Sequence, residues 1–231
     1  MRVSQTVLMM AVTLLLAASA GRASPYWIAW EGDDFPENQG WKRSWGNWQG
    51  PYQGPGADRT LEGGVLTYDS LYDPGVYDYS YMERPGQIDP PPGRVFVMEW
   101  RLKVERVVGR ADPDVNVRSD KAYAVGLEFA ADRIYSIFEQ YLTIPIVPDV
   151  WHAYRLVSAD MRAYELYIDG QLARQGVFVP KFVKSRISWG DAIQGGASMH
   201  HWDYFRFGAV PEPPSVIGLL LFVAGAAWRR P

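Results

Sequence analysis

Two kinds of side chain in this 231-residue sequence could carry chemistry: carboxylates close enough to work on one bond, and aromatics dense enough to form a surface. Hydrolysis of a glycosidic bond uses two carboxylates, about 5–5.5 Å apart for retention of configuration and about 6.5–9.5 Å apart for inversion. Glu99 and Glu105 flank Trp100–Val104, and Glu128 and Asp132 span a turn. Glu99 and Glu128 are expected to be ordinary solvent-facing strand residues. The three histidines are His152, His200 and His201. Adjacent residues of a strand point to opposite faces, so His200 and His201 cannot hold one transition metal together. With no cysteine there is no thiol nucleophile, disulfide or thiolate metal site. No serine lies in a nucleophile elbow, and no glycine run opens a helix to cradle phosphate.

Aromatics are the richer signal. Of ten tryptophans, Trp27, Trp30, Trp41, Trp45 and Trp48 fall within 22 residues, the last three inside the glycine-bounded polar run GWKRSWGNWQG. Sugar rings stack their apolar faces on exposed aromatic rings while nearby polar groups bond the hydroxyls, so Trp41, Trp45 and Trp48 could form a glycan platform. The other reading packs them over a sheet edge. Tyr77, Tyr79 and Tyr81 alternate and should share one strand face, a second candidate patch. Trp27, Trp30, Trp100, Trp151 and Trp202 are expected in the core.

The elements that position these groups lie between two terminal addresses. Arg2 followed by the apolar run Val7–Ala18 and then small residues reads as a secretory signal peptide over 1–23. At the other end, Pro211, Glu212 and Pro213 lead into the apolar segment Val216–Trp228, closed by Arg229 and Arg230. The prolines enforce an extended lead-in, and the arginines stay on the cytoplasmic side during export. This order resembles the PEP-CTERM sorting signal of Gram-negative bacteria. The resemblance implies an exosortase-type membrane protease as partner after the export translocon, with Pro211, Glu212 and Pro213 as the recognition motif. It also implies transient anchoring in the inner membrane over 210–231, then a cell-surface or extracellular destination. Four arginines and one glutamate lie outside 24–210, so of 23 basic and 26 acidic side chains that stretch keeps 19 and 25. An acidic domain disfavours nucleic acid and acidic glycans as partners unless a local basic patch overrides the net charge.

Residues 24–209 show no sustained 3.6-residue apolar period, whereas short β-branched and aromatic runs recur between Gly, Pro, Asp and Asn clusters. Strands are expected at Val65–Ser70, Tyr77–Glu83, Arg94–Arg106, Tyr123–Phe129, Arg133–Phe138, Trp151–Ser158, Tyr164–Asp169, Gln171–Val179, Arg186–Trp189 and Trp202–Phe207, with loops at Asp89–Pro92 and Asp112–Asp120. So many short strands in one domain make an all-β antiparallel sandwich. Asp169-Gly170 is a dipeptide suited to a type I′ hairpin, and it closes a three-strand meander beginning at Trp151.

The segments Trp151–Val157, Tyr164–Ala173 and Trp202–Gly208, with Trp30–Phe35 and Trp41 near the start, resemble concanavalin A-like lectin/glucanase jelly rolls of the laminin-G-like branch. That resemblance implies a jelly-roll β-sandwich whose first and last strands are neighbours. It further implies a structural calcium ion (Ca2+) where Asp203 of the last strand meets backbone oxygens of the N-terminal segment, with Asp34 there as a second candidate ligand. In laminarinase-like enzymes of this fold the catalytic acids form Glu-x-Asp-x-Glu on one strand face; the sequence has no such run, so no catalytic residue is expected. Two functions stay open: a non-catalytic module that binds polysaccharide at the cell surface or in the extracellular matrix, and a structural or adhesive surface protein with a protein partner. A divergent glycoside hydrolase is the third.

Overall fold

The computed structural model describes residues 28–47, 56–72, 76–83, 88–109, 113–139, 143–181, 184–191 and 196–211. The signal peptide, Trp27, Trp48 and the Glu212, Pro213, Arg229 and Arg230 part of the sorting signal lie outside these residues. Among the described residues there are sixteen strands, with one short 3-10 turn (Pro36–Gln39) between the first two. They are β1 (Ile28–Trp30), β2 (Lys42–Asn47), β3 (Asp58–Glu62), β4 (Val65–Asp69), β5 (Val76–Glu83), β6 (Arg94–Gly109), β7 (Asp114–Arg118) and β8 (Tyr123–Phe129). The second half holds β9 (Arg133–Ser136), β10 (Thr143–Pro145), β11 (His152–Ser158), β12 (Ala163–Ile168), β13 (Gln171–Val177), β14 (Val179–Pro180), β15 (Arg186–Asp191) and β16 (Gly196–Pro211).

The strands form two antiparallel sheets. Sheet I runs β13-β12-β11-β6-β16-β4-β3 with β1 on β16, and sheet II runs β10-β9-β8-β7-β15-β5-β2 with β14 on β8. The chain crosses between them repeatedly, so sequence neighbours face each other across the core, which is the jelly-roll β-sandwich expected above. As that fold requires, the first strand pairs with the last, Ile28 opposite Phe207 and Trp30 opposite Phe205.

Period-two alternation explains most strands. In β4, and in β5 as far as Tyr81, the burial pattern switches at every residue. The hairpin between β12 and β13 has Asp169 at φ 51° and Gly170 at φ 79°, the two positive angles a type I′ turn demands. In β16, a register shift between Trp202 and Tyr204 leaves Asp203 as an extra residue. This bulge turns Trp202 and Phe205, three apart in sequence, to the same inner face.

Between the sheets, Trp189 of β15 is the hub. Its ring centroid lies 5.1 Å from Trp30, 5.8 Å from Trp41, 4.9 Å from Trp202 and 5.2 Å from a nearly parallel Phe205. Rings of this size bury more apolar area than any other side chain, and their tilted and edge-on contacts add to it. Of the tryptophans expected in the core, Trp30, Trp100 and Trp202 are fully buried and Trp151 is half-buried.

Two expectations are corrected. The segment expected as a loop over Asp112–Asp120 contains β7, in which Val115 and Val117 point into the core. Its Asp, Asn and Arg read as turn residues, yet they occupy alternate positions and the valines alone supply the buried face. The tryptophan-rich run contains β2, paired to β5 from Lys42 to Asn47. Strand β16 continues through Val210 and Pro211, which pair with Val95 and Arg94.

Candidate functional site

Cross-strand register arranges the outward residues of sheet II in rows. One row holds Glu83, Arg186, Arg118 and Ala124; the next holds Lys42, Tyr81, Ser188, Asn116 and Gly126. The third holds Ser44, Tyr79, Gly190, Asp114, Glu128 and Tyr135. Tyr77, Tyr79 and Tyr81 do share this face, with neighbouring centroids 6.0 and 5.8 Å apart.

The floor beside the tyrosines is polar and buried. Asp114, Asn116, Glu128 and Ser188 are all less than a tenth exposed, although none belongs to the core between the sheets. Oδ1 of Asp114 and Oδ1 of Asn116, two residues apart on β7, are buried without a hydrogen-bond partner. Most buried polar atoms are paired, so two orphaned acceptors side by side on a non-core face call for a reason. Gly190 leaves a notch between Tyr79 and Asp114: its φ is 128°, and a Cβ there would lie 2.9 Å from the Asp78 carbonyl oxygen and the Tyr79 Cα.

Asp114 and Glu128 stand directly opposite each other on β7 and β8. Burial first, and then the Glu128 carboxylate, push the Asp114 carboxyl up to about 8, against the pull of Arg186 and Arg118. At neutral pH the row therefore holds a protonated acid beside a second carboxyl group. This corrects the expectation that Glu128 is a solvent-facing strand residue. Glu99 does lie on the outer, solvent-facing side of sheet I, partly exposed, where its Oε2 accepts from Arg206 Nε and Nη2 at 3.0 and 2.9 Å. The acid pair was missed because its members come from different strands, one of them read as a loop. The available signal was period-two alternation of polar residues with valine in DVNVR.

The tryptophan platform is divided. Trp41 is a core residue, packed edge-on to Trp189, Phe205 and Phe207, so it cannot meet a ligand at the surface. Trp45 is 46% exposed, but on the opposite face of sheet II from the tyrosines, at the open edge of the sandwich. The Arg43 guanidinium lies 4.9 Å from its ring centroid, beside a 440 Å³ cavity reached by Phe35, Asp58 and Arg59. Arg43 also forms a bidentate pair with fully buried Asp78 at 2.9 and 2.5 Å. Tyrosine and tryptophan candidates therefore do not make one surface.

The acids considered for calcium are otherwise engaged. Asp203 Oδ2 accepts from Arg101 Nη1 at 2.7 Å. Asp34 Oδ1 accepts from the Phe35 amide and from Asn38 Nδ2, bracing the 3-10 turn. Among the described residues no three His, Asp or Glu side chains gather as a metal-binding group. As expected, the histidines diverge: His200 is buried and stacked on Tyr68, whereas Nε2 of His201 reaches Glu105 at 3.0 Å outside.

No family model matches the chain, and no curated protein matches it. Solved structures do match it in shape. A carbohydrate esterase from Shiga toxin-encoding bacteriophage phi24B superposes with a TM-score of 0.58 at 11% identity, covering 81% of this chain and 99% of that one. A glycosyl hydrolase family protein from Mycobacterium fortuitum gives 0.53 at 15% identity over 80% of this chain and 100% of that one. β-Agarase A from Zobellia galactanivorans gives 0.50 at 16% identity over 74% of this chain and 83% of that one. At such identities the likeness is one of fold, and the chain shares the jelly-roll β-sandwich of these carbohydrate-active proteins.

Proposed function

We propose that this is an exported surface protein that binds polysaccharide on the outer face of sheet II. One observation carries the reading: the Tyr77, Tyr79 and Tyr81 rings form a ladder on the outer face of sheet II, which the core does not use. Sugar rings stack their apolar faces on such aromatic surfaces, and tyrosine offers both a ring face and a hydroxyl. That shape-related proteins are carbohydrate-active agrees with the reading. The signal peptide and the Pro211, Glu212, Pro213 motif supply the route to the surface, through the translocon and an exosortase-type protease.

Affinity electrophoresis of the exported protein through gels containing different polysaccharides tests the binding. At least one should retard the wild type, and Tyr79→Ala with Tyr81→Ala should abolish the retardation while circular dichroism stays native. Retardation unchanged by the substitutions would remove this face from consideration.

A second reading, glycoside hydrolysis, has one observation in its favour. Asp114 is protonated at neutral pH directly opposite Glu128, a donor and a second carboxyl group on neighbouring strands. Reducing ends released from a retained polysaccharide, and lost in Asp114→Asn, would establish it. Retention without release would leave a binding protein.

A further inference from the structure

We infer that the end of the sandwich where the C-terminal tail leaves is a basic surface that docks on anionic lipid headgroups. The inference rests on the export route in the reading above and not on what sheet II binds. Three strands that run between the two ends carry the asymmetry. Lys121 precedes β8 and Asp132 follows it, Arg162 precedes β12 and Asp169 follows it, and Asp149 precedes β11, which Arg162 follows. All of these side chains are exposed. The basic turns lie at the Pro211 end, because pairing sets the end of β11, the start of β6 and the end of β16 side by side, with Ser158 and Ala209 both opposite Phe96.

Backbone contacts join these turns into one surface. Pro211 pairs with Arg94, whose amide donates to the Pro91 carbonyl at 3.1 Å. The amides of Ile88 and Asp89 donate to Asp120 Oδ2 at 2.8 and 3.1 Å. The Lys181 amide donates to the Ala122 carbonyl at 3.0 Å, and the Phe178 amide to the Arg162 carbonyl at 2.8 Å. Arg94, Lys121, Arg162, Lys181 and Lys184 are exposed here, with half-buried Arg118 and Arg186 beside them. The acids of this end are fewer. Asp120, Asp160 and Glu83 are exposed, Glu83 in the row of Arg186 and Arg118, while Asp89 is buried 3.3 Å from Lys121 and Glu139 is met by Arg174 at 3.7 Å. At the opposite end, by contrast, Lys103 and Arg133 are already drawn onto Asp149 and Asp132.

The tail decides what this surface meets. Val216, where the apolar segment begins, is five residues beyond Pro211. Five residues span at most about 18 Å, so insertion of that segment holds the basic end within reach of the headgroups. Cations brought to an anionic leaflet each strengthen attachment about fivefold. The acidic charge of the domain as a whole does not oppose this, since salt confines its reach to about 8 Å at physiological ionic strength. The acidic turns lie a strand length away, on the side the membrane repels.

A chain without cysteine accepts single fluorescent labels, and Ala159→Cys and Val150→Cys place one at each end of β11, both exposed. The exported chain, tail intact, is mixed with vesicles containing a spin-labelled quencher lipid, made of phosphatidylcholine alone or with phosphatidylglycerol. At low salt the anionic vesicles should quench the label at residue 159 and not the one at 150, and neutral vesicles should quench neither. Sodium chloride should reverse the quenching while the protein still floats with the vesicles. Combining Arg162→Gln, Lys181→Gln and Lys184→Gln should lower the ratio of docked to undocked protein about a hundredfold. Equal quenching by the two kinds of vesicle, or of the two labels, overturns the inference. So does the absence of quenching by anionic vesicles while polygalacturonate retards the protein in a gel, which gives the surface to an acidic glycan. Flotation with anionic vesicles at low salt but never with neutral ones upholds the docking and refutes the tail as anchor. The lipid and salt dependence of the wild type decides the matter should the triple variant fail to fold.

Discussion

Asp114 is held by its surroundings in a form that a carboxyl group in water abandons above about pH 4. Folding therefore binds a proton there. Between about pH 4 and the folded value of about 8, the native chain carries that proton and the unfolded chain does not. Stability contributed by this group is present below pH 4 and falls as pH rises through the window, by up to about 1.4 kcal/mol per pH unit, levelling off once both states are ionised. Asp114→Asn should remove that slope, so urea denaturation at pH 5, 7 and 9 should show the variant gaining on wild type at each step. Parallel curves would mean that Asp114 is solvated. At this scale the sequence was partly legible. The tyrosine ladder followed from alternation alone, and so did the divergence of His200 and His201. The acid pair did not, because opposition across two strands depends on a register that no local pattern states.

At the scale of elements, two glycines in hairpin and strand separate conformation from contact. Gly170, at φ 79°, has nothing within 4 Å of a would-be Cβ. Gly170→Ala should cost only the left-handed penalty, about 1–2 kcal/mol, and leave ligand binding alone. Gly190→Ala meets backbone atoms at 2.9 Å in the floor of the site. It should cost more than Gly170→Ala in thermal unfolding and weaken polysaccharide binding as well; equal costs would show that β15 can shift to make room. Hairpin β12–β13 could be read from Asp169-Gly170, since the turn chemistry is local. Strand β7 could not, because Asp114, Asn116 and Arg118 favour turns by themselves and become strand residues only through β8 and β15 on either side. Strand β2 was hidden for a related reason: Gly46 and the polar neighbours of Trp45 look like loop until β5 pairs with them.

Among the described residues of the molecule, Trp30, Trp41, Trp100 and Trp202 pack in the core with Trp189, whereas Trp45 at the sandwich edge and half-buried Trp151 lie outside it. Composition announced the excess but could not divide it, because a tryptophan in a polar run can point either way. Trp41→Ala should open a cavity costing about 3–5 kcal/mol, whereas Trp45→Ala, which loses a partly exposed contact with Arg43, should cost about 1 kcal/mol or less. Differential scanning calorimetry of the two variants compares them directly, and similar losses would contradict this division. The network under Trp45 is a stronger test of burial: Asp78, fully buried, answers both Arg43 and Arg59, so Asp78→Asn should leave Arg43 without its carboxylate and Arg59 with Glu37 alone, and cost about 3–5 kcal/mol. Finally, β16 ends at Pro211, where the C-terminal tail begins, and it is paired to β6 at fifteen positions along its length. A tether pulling at Pro211 along the strand axis would load those positions in shear, all together, rather than peeling them one by one. The strand nearest the tail is thus the one best laid out to bear tension.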